Sequence, residues 1–508
     1  MAPASRARVR DSIGPAVDTI VSRVLHFADS RPEAIAFIEK GQRLTYGGLG
    51  RRVRATAAWL HRAGVQAGDT VAVSFDAPFT GSLRSLQFFY ALASLGAVVL
   101  PLYPDVPIAE RLELVARFRA RWLIPRHLVE ASAKCSLIDP AACDWRACER
   151  DGAVAPRGDE ASKPFMFHFS GGTTGTPKVL LFDHGQYLTT LLVRCGAIGA
   201  TTADRLVPSR PWATVPGLRY VLTIHSVGGT FVNASFPETS QELRRLIGEV
   251  GATVVIGSPW QLRRLLASAS SGDGESELRV LYVAGAFISP AEIQAAREAI
   301  TRNVYVSYAC TEVALIALLR PDDPVGPAGT VGRLVAGLDA RAADDEHRPL
   351  SPGTVGNLGF RAPWIPAGYV GNEKATAEHF HDGWFYPGDV GAVDSEGQVS
   401  LRGRSDDVIN YGGLKLQPED IEAVLTEHPD IEDAAVVGVP HPMAERVPVA
   451  LVVVRRPVTQ QVLMAFCRSR IDGSRLPVAI VEVPRILRSP DGKILRNHLI
   501  DEYKVVAP

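Results

Sequence analysis

Cysteine is scarce: six residues in 508, at positions 135, 143, 148, 195, 310 and 467. With no Cys-x-x-Cys pair and no Cys/His spacing among them, a disulfide scaffold and a structural zinc site are excluded, and the cytoplasm is the expected compartment. Neither sign of charge dominates, because 54 Lys and Arg stand against 55 Asp and Glu, a net charge of −1. No basic arm or tract is present, so a general grip on nucleic acid, which draws on clustered cations, is excluded as well. Long hydrophobic runs are also missing. The longest, Phe88 to Leu100, is too short to span a bilayer and reads as buried core, and the N-terminal residues lack the apolar stretch of a secretory signal.

The remainder has the balance of a globular chain, 46% hydrophobic and 21% charged, long enough for two to four domains or subdomains. Helical spacing over Tyr46 to Leu60 is followed by a short strand, Val71 to Phe75, behind Gly68-Asp69. The alternation continues through Ala252–Ile256, Arg279–Val283 and Asn303–Val306, which predicts layered α/β structure with largely parallel sheets. Two stretches rich in Gly, Ser and charge, Glu149–Lys163 and Ser268–Glu277, read as surface loops. From Gly353 to Gly403 short alternating segments separated by turns predict a small antiparallel or barrel-like subdomain. After Arg404 comes a new pattern: a helix from Pro418 to Leu425, strands at Ala434–Val439 and Val447–Val454, and a helix near Gln460–Arg470. The expected division is therefore a large N-terminal domain, 1–403, and a small mobile α+β C-terminal domain, 404–508. No repeat is apparent.

The strongest local signal is Ser170-Gly171-Gly172-Thr173-Thr174-Gly175-Thr176-Pro177-Lys178, directly after the apolar Phe165–Phe169. A strand entering a loop of glycines and hydroxyls lets backbone N–H groups approach an oxyanion, and the lysine adds charge. It is a phosphate-holding loop without the Gly-Lys-Ser/Thr ending of a Walker A motif, so a P-loop kinase or GTPase is excluded.

This loop resembles the phosphate loop of the adenylate-forming superfamily, which includes acyl-CoA and aryl-CoA ligases, adenylation domains of peptide synthetases, and luciferases. Further matches follow in family order over nearly the whole chain: Leu44-Thr45-Tyr46, Tyr308-Ala309-Cys310-Thr311-Glu312, Gly368-Tyr369, Gly383 through Asp389, Gly403-Arg404 and Gly492-Lys493. The resemblance implies ATP, Mg²⁺ and a thiol as reactants: a carboxylate becomes acyl-AMP with loss of pyrophosphate, and the thiol then takes the acyl group. It implies that Tyr308 packs on adenine with Gly285, Ala286 and Ser307 nearby, that Thr311 touches phosphate, and that Glu312 holds Mg²⁺. Asp389 and Arg404 would hold the ribose, and Lys178 and Lys493 would stabilise charge on the phosphates. Pro387 stands where the family usually has Thr, a local change in turn rigidity. Asp406 matches the hinge about which relatives swing the C-terminal domain, and Gly412-Gly413 the thiol channel. Coenzyme A is the expected acceptor, since no carrier domain follows Pro508. The alternatives are an acyl carrier protein's phosphopantetheine and a non-catalytic nucleotide-binding relative. Intact Lys493, Glu312 and Asp389 speak against the last. Oligomeric state is left open.

On the substrate side, Arg210 to Leu218 lacks the aspartate with which peptide-synthetase relatives bind an ammonium, and the histidine of many CoA ligases falls on Ala213 or Thr214. An α-amino acid would lack its counter-charge, which disfavours it. Small residues at Gly217, Ala284 and Ala309, with Trp212, Val215 and Cys310 as further lining, predict a pocket for a largely apolar carboxylic acid. Cys310 has no activating His beside it and reads as lining, not as a nucleophile.

Overall fold

In a computed structural model the chain is described over residues 19–74, 82–103, 106–125, 135–170, 178–210, 212, 214–269, 278–327, 329–411, 414–488 and 494–506. Two larger sheets and one small one organise these residues. The first has six strands. Its parallel members, Thr70–Ser74, Val98–Leu102 and Trp122–Ile124 among them, lead to β1 (Pro164–Ser170), which turns back antiparallel into β2 (Lys178–Asp183). Ser170 pairs with Lys178, so the segment between them starts and ends on one rung of a hairpin. Residues 171–177 themselves lie outside the described residues. Asp183 then caps α1 (His184–Ala197) through a reciprocal box with Gln186, and Thr214 caps α2 (Val215–Ser226). These two helices pack against each other beside the second sheet.

That sheet has a parallel centre: Thr230–Asn233, Arg205–Val207, Val254–Gly257, β3 (Val280–Ala284) and β4 (Val304–Cys310). It changes direction at β5 (Ala314–Leu319), antiparallel to β4, and continues through Thr330–Leu334 to β6 (Asp389–Val393) and β7 (Gln398–Arg404). The antiparallel strands expected after Gly353 are thus hydrogen-bonded onto the edge of the main sheet. The large domain is followed by a small one, whose five-stranded sheet centres on Ile431–His441 and Glu445–Val454. Its helices, Pro418–Thr426 and Gln460–Arg468, fall where the apolar spacing predicts them.

One correction bears on the site. Tyr308, Ala309 and Cys310 do not follow the strand as expected from the short β-branched run; they belong to it, because the apolar Ala314–Leu319 supplies a partner up to Cys310. Thr311 and Glu312 form the turn, and the element after Glu312 is a strand, which excludes a helix-capping role for that carboxylate.

Candidate active site

The β4–β5 turn is irregular in two ways that aim its side chains. The pairing register shifts between Tyr308 and Ala309, and Ala314 adopts φ +68°, a strained value for a residue with a Cβ. Glu312 is carried inward and is 6% exposed. Its Oε1 accepts the Tyr369 hydroxyl at 2.8 Å. Tyr369 is tied to the β1–β2 hairpin by its neighbour, since Val370 N–H donates to the Val179 carbonyl at 2.7 Å. Gly368 before it has no room for a Cβ, which would lie 2.5 Å from Thr376 Cγ2. Lys178, the first residue of β2, places its ammonium 5.5 Å from the Tyr369 ring centroid and 2.5 Å from His379 Nε2. His379 Nδ1 lies 2.8 Å from the Tyr386 carbonyl and must donate to it, so Nε2 is left as an acceptor and Lys178 is the donor. Burial, and then Glu312, push the Tyr369 phenol far above its usual range, which keeps it a donor.

The second group lies where β6 begins and β7 ends. Asp389 and Arg404 are register partners, and the Arg404 Nη1 donates to Asp389 Oδ1 at 3.1 Å. The other Asp389 oxygen accepts a short hydrogen bond from the Tyr308 hydroxyl. Arg404 also forms a two-pronged pair with Asp406, at 2.8 and 3.1 Å. Burial alone would lower the Arg404 pKa, but Asp406 and Asp389 outweigh it and raise it. Gly388, at φ +87°, makes the turn into Asp389, and Ser405 N–H closes it on the Gly388 carbonyl at 2.7 Å. Ala284, the last residue of β3, pairs with Ser307 in the middle of β4, with Gly285 exposed just beyond Ala284 and Ala286 half-buried. Open α/β sheets bind ligands at the C-terminal ends of their strands.

On the acid side, Gly217 is buried in the first turn of α2, Ala309 is exposed, and Cys310 is half-buried. Burial and then Glu312 raise the Cys310 thiol well above its usual pKa, which keeps it protonated. Trp212 is 1% exposed and takes its place in the core. The side chain of Val215, and the residues Gly171, Gly172, Thr173, Thr174, Gly175, Thr176, Gly412, Gly413 and Lys493, lie outside the described residues. Lys178 of the first sheet thus meets Glu312 of the second through Tyr369, and Tyr308, Asp389 and Arg404 of the second sheet are joined by hydrogen bonds, while the Asp406 side chain is more than half exposed.

A sequence model of the AMP-binding enzyme family matches residues 24–370, and that of the AMP-binding enzyme C-terminal domain matches 420–493. The chain belongs to the AMP-binding enzymes. Among curated relatives, this AMP-binding enzyme is 26% identical to the 2-succinylbenzoate–CoA ligase of Bacillus licheniformis over 489 residues, covering 93% of this chain and 98% of that one. It is 29% identical to the feruloyl-CoA synthase of an Amycolatopsis species over 485 residues, 92% and 96% of the two chains. In fold it matches the ATP-bound MatB of Rhodopseudomonas palustris with a TM-score of 0.83 at 22% identity, covering 96% of this chain and 99% of the other.

Three residues of the AMP-binding enzyme's site escape sequence reasoning. Tyr369 stands in a motif whose role is visible only when its hydroxyl meets Glu312, 57 positions away. His379 belongs to no motif, and Lys178 reaches it across 201 positions. Arg219, between His168 Nε2 at 3.1 Å and the Thr311 carbonyl at 3.3 Å, follows a glycine and a leucine in a helix with nothing to mark it.

Proposed function

We propose that this AMP-binding enzyme is an ATP-dependent acid–thiol ligase. A carboxylate oxygen attacks the α-phosphorus of ATP, pyrophosphate leaves, and the sulfur of coenzyme A then displaces AMP from the acyl-AMP. The observation that carries the reading is the convergence of two charge groups on the β4–β5 turn, Lys178–Tyr369–Glu312 on one side and Tyr308–Asp389–Arg404 on the other. The second group offers the acceptor and donor that ribose hydroxyls need, and the first offers a cation beside a carboxylate. Glu312 fits Mg²⁺ arriving with ATP: a hard ion accepts a single buried carboxylate oxygen, and among the described residues no cluster of three metal-ligating side chains exists to hold a resident metal. Such an ion would screen the phosphate charge, while Lys178, and Lys493 from the C-terminal domain, would stabilise charge building on the phosphates.

Coenzyme A is favoured over a carrier-bound phosphopantetheine by the two curated relatives, a 2-succinylbenzoate–CoA ligase and a feruloyl-CoA synthase. We place the domain boundary at 403–404 and the hinge at Asp406, whose side chain is 55% exposed and held by Arg404. All six cysteines are free, which supports a reducing, cytoplasmic compartment, and no described helix is long and apolar enough to cross a membrane.

The test is ATP–pyrophosphate exchange over a panel of carboxylic acids, with thioester formation read separately after adding coenzyme A. Acid-dependent exchange and a CoA thioester are expected, and Lys493→Ala should lower exchange by roughly 10²–10³-fold. Exchange unaffected by Lys493→Ala would remove that lysine from the mechanism. A thioester formed only on a carrier protein would replace coenzyme A.

A further inference from the structure

Between α1 and α2 lie cations that the adenylation chemistry does not use. Arg194 on α1 is 6% exposed, and its Nε and Nη1 have no hydrogen-bond partner. Its guanidinium sits 5.5 Å from the Tyr220 ring centroid and 5.9 Å from that of Tyr282. The Tyr282 hydroxyl, in a side chain almost wholly buried, is also without a partner. Arg219 on α2 is buried too, spends Nη2 on His168 and on the Thr311 carbonyl, and leaves Nε unpartnered. Burial and then Arg219 hold the His168 pKa well down, so that ring is neutral and cancels no charge. Among the described residues no carboxylate pairs with either guanidinium; the buried Asp204 is taken by both prongs of Arg279.

An unpaired buried guanidinium is costly, and two aromatic faces offset only part of that cost. Its place is informative. Tyr282 precedes Ala284 by two residues on β3, Arg219 and Tyr220 follow Gly217 within one turn of α2, and Arg219 holds the residue before Glu312. The missing carboxylate that disfavours an ammonium substrate also leaves the field of two arginines uncancelled for an anion.

We propose that Arg194 and the Tyr282 hydroxyl anchor a second anionic group on the acid, so that the substrate is a dianionic acid with a largely apolar body. One carboxylate is activated at the Glu312 turn, the body lies against the Tyr220 and Tyr282 rings, and the remote carboxylate stays ionised on the Arg194 guanidinium. Arg219 is a positioning residue that fixes the Thr311 carbonyl. The inference rests on the ligase reading above.

Terephthalate, 3-(2-carboxyphenyl)propanoate and adipate, each beside its monomethyl ester, are compared in pyrophosphate exchange and in thermal melting, with Arg194→Met and Arg194→Lys as variants. At least one diacid should exceed its half-ester by roughly 100-fold or more in kcat/KM. Arg194→Met should abolish that preference and Arg194→Lys restore part of it. The same diacid should raise the Tm of the wild type and not of Arg194→Met. Without ligand, Arg194→Met should melt at or above the wild type, because an unpaired buried charge is gone. Half-esters activated as well as diacids, or a ligand-free Arg194→Met protein melting several degrees lower, would overturn the anchor while leaving the ligase reading intact. No exchange with any acid, together with diacid-specific stabilisation of the wild type alone, would overturn the ligase reading and leave the anchor.

Discussion

Arg194 and Arg496 are both largely withdrawn from solvent, and they keep opposite company. Arg496, at the start of the last helix, is 13% exposed in its side chain and faces Asp407, Glu419 and Glu422 at once. Arg194 faces two tyrosine rings and no described carboxylate. In the C-terminal domain, then, a cation has more carboxylates than it can neutralise, and between α1 and α2 the cations have none among the described residues. A buried charge balanced by its own fold serves architecture, and Arg496 ties the last helix to the Pro418–Thr426 helix across 74 to 77 positions. One left unbalanced stays available to a ligand. The Asp389–Arg404–Tyr308 group lies between these extremes, with every partner present and one side open to solvent.

The contrast can be broken most forcefully at Arg496. Replacing it by Met leaves three carboxylates crowded together and should destabilise the C-terminal domain by about 3–5 kcal/mol. Hydrogen exchange in the Pro418–Thr426 helix would report it, and unchanged protection there would mean that the cluster contributes nothing to architecture.

Acidity should drive the two regions in opposite directions, with a slightly smaller effect. Burial pushes His225 down to about 4 and does the same to His184, where Asp159 pulls upward and Arg157 adds to the lowering. His225 is fixed as a neutral ring between the Tyr90 hydroxyl and the Ala36 carbonyl. The unfolded chain takes up these protons below about 6.5 and the folded chain does not. Their contribution is therefore full above pH 6.5 and lost as pH falls toward 4, on the order of 3 kcal/mol for each ring. Glu419 behaves conversely. Burial raises it to about 7 against the pull of Arg496, with Glu422 and Asp407 pushing the same way as burial. Its contribution is full below about 4.5 and lost as pH rises through 7. Exchange protection measured at pH 5 and pH 7.5 should fall on acidification around His225 and rise around Glu419. Parallel changes in both would contradict the assignment.

The smallest expected effect is at His379. His379→Ala removes the acceptor that orients Lys178, worth about 1 kcal/mol or somewhat more for a bond to a charged group, so exchange should slow by roughly 5–10-fold. His379→Gln, with an acceptor oxygen, should recover part of the rate. A His379→Ala enzyme as fast as the wild type would show that Lys178 needs no such support.

Much of the architecture is readable from local pattern. Apolar spacing from Tyr46 marks a helix that runs to Arg62, the run at Val71 marks the strand Thr70–Ser74, and the C-terminal strands and helices fall within a few residues of expectation. Boundaries drift where a partner strand extends an element, as it does at Tyr308–Cys310. Glu312, Asp389, Arg404 and Lys178 are recognisable because glycines and aromatics surround them in order. Their partners are not, with the exception of the Tyr308 motif.

The sequence by itself determined the order of α/β units, the strand that enters the Gly/Thr-rich loop and the carboxylates Glu312 and Asp389 as candidates, because hydrophobic period, turn chemistry and motif spacing are properties of neighbours along the chain. Only the tertiary structure decided that Tyr369 meets Glu312, that His379 receives Lys178, and that Arg194 lies beside Tyr220 and Tyr282 with no carboxylate among the described residues. Charge balance in a buried place is a sum over everything packed around it, and residues far apart in sequence enter that sum as heavily as adjacent ones.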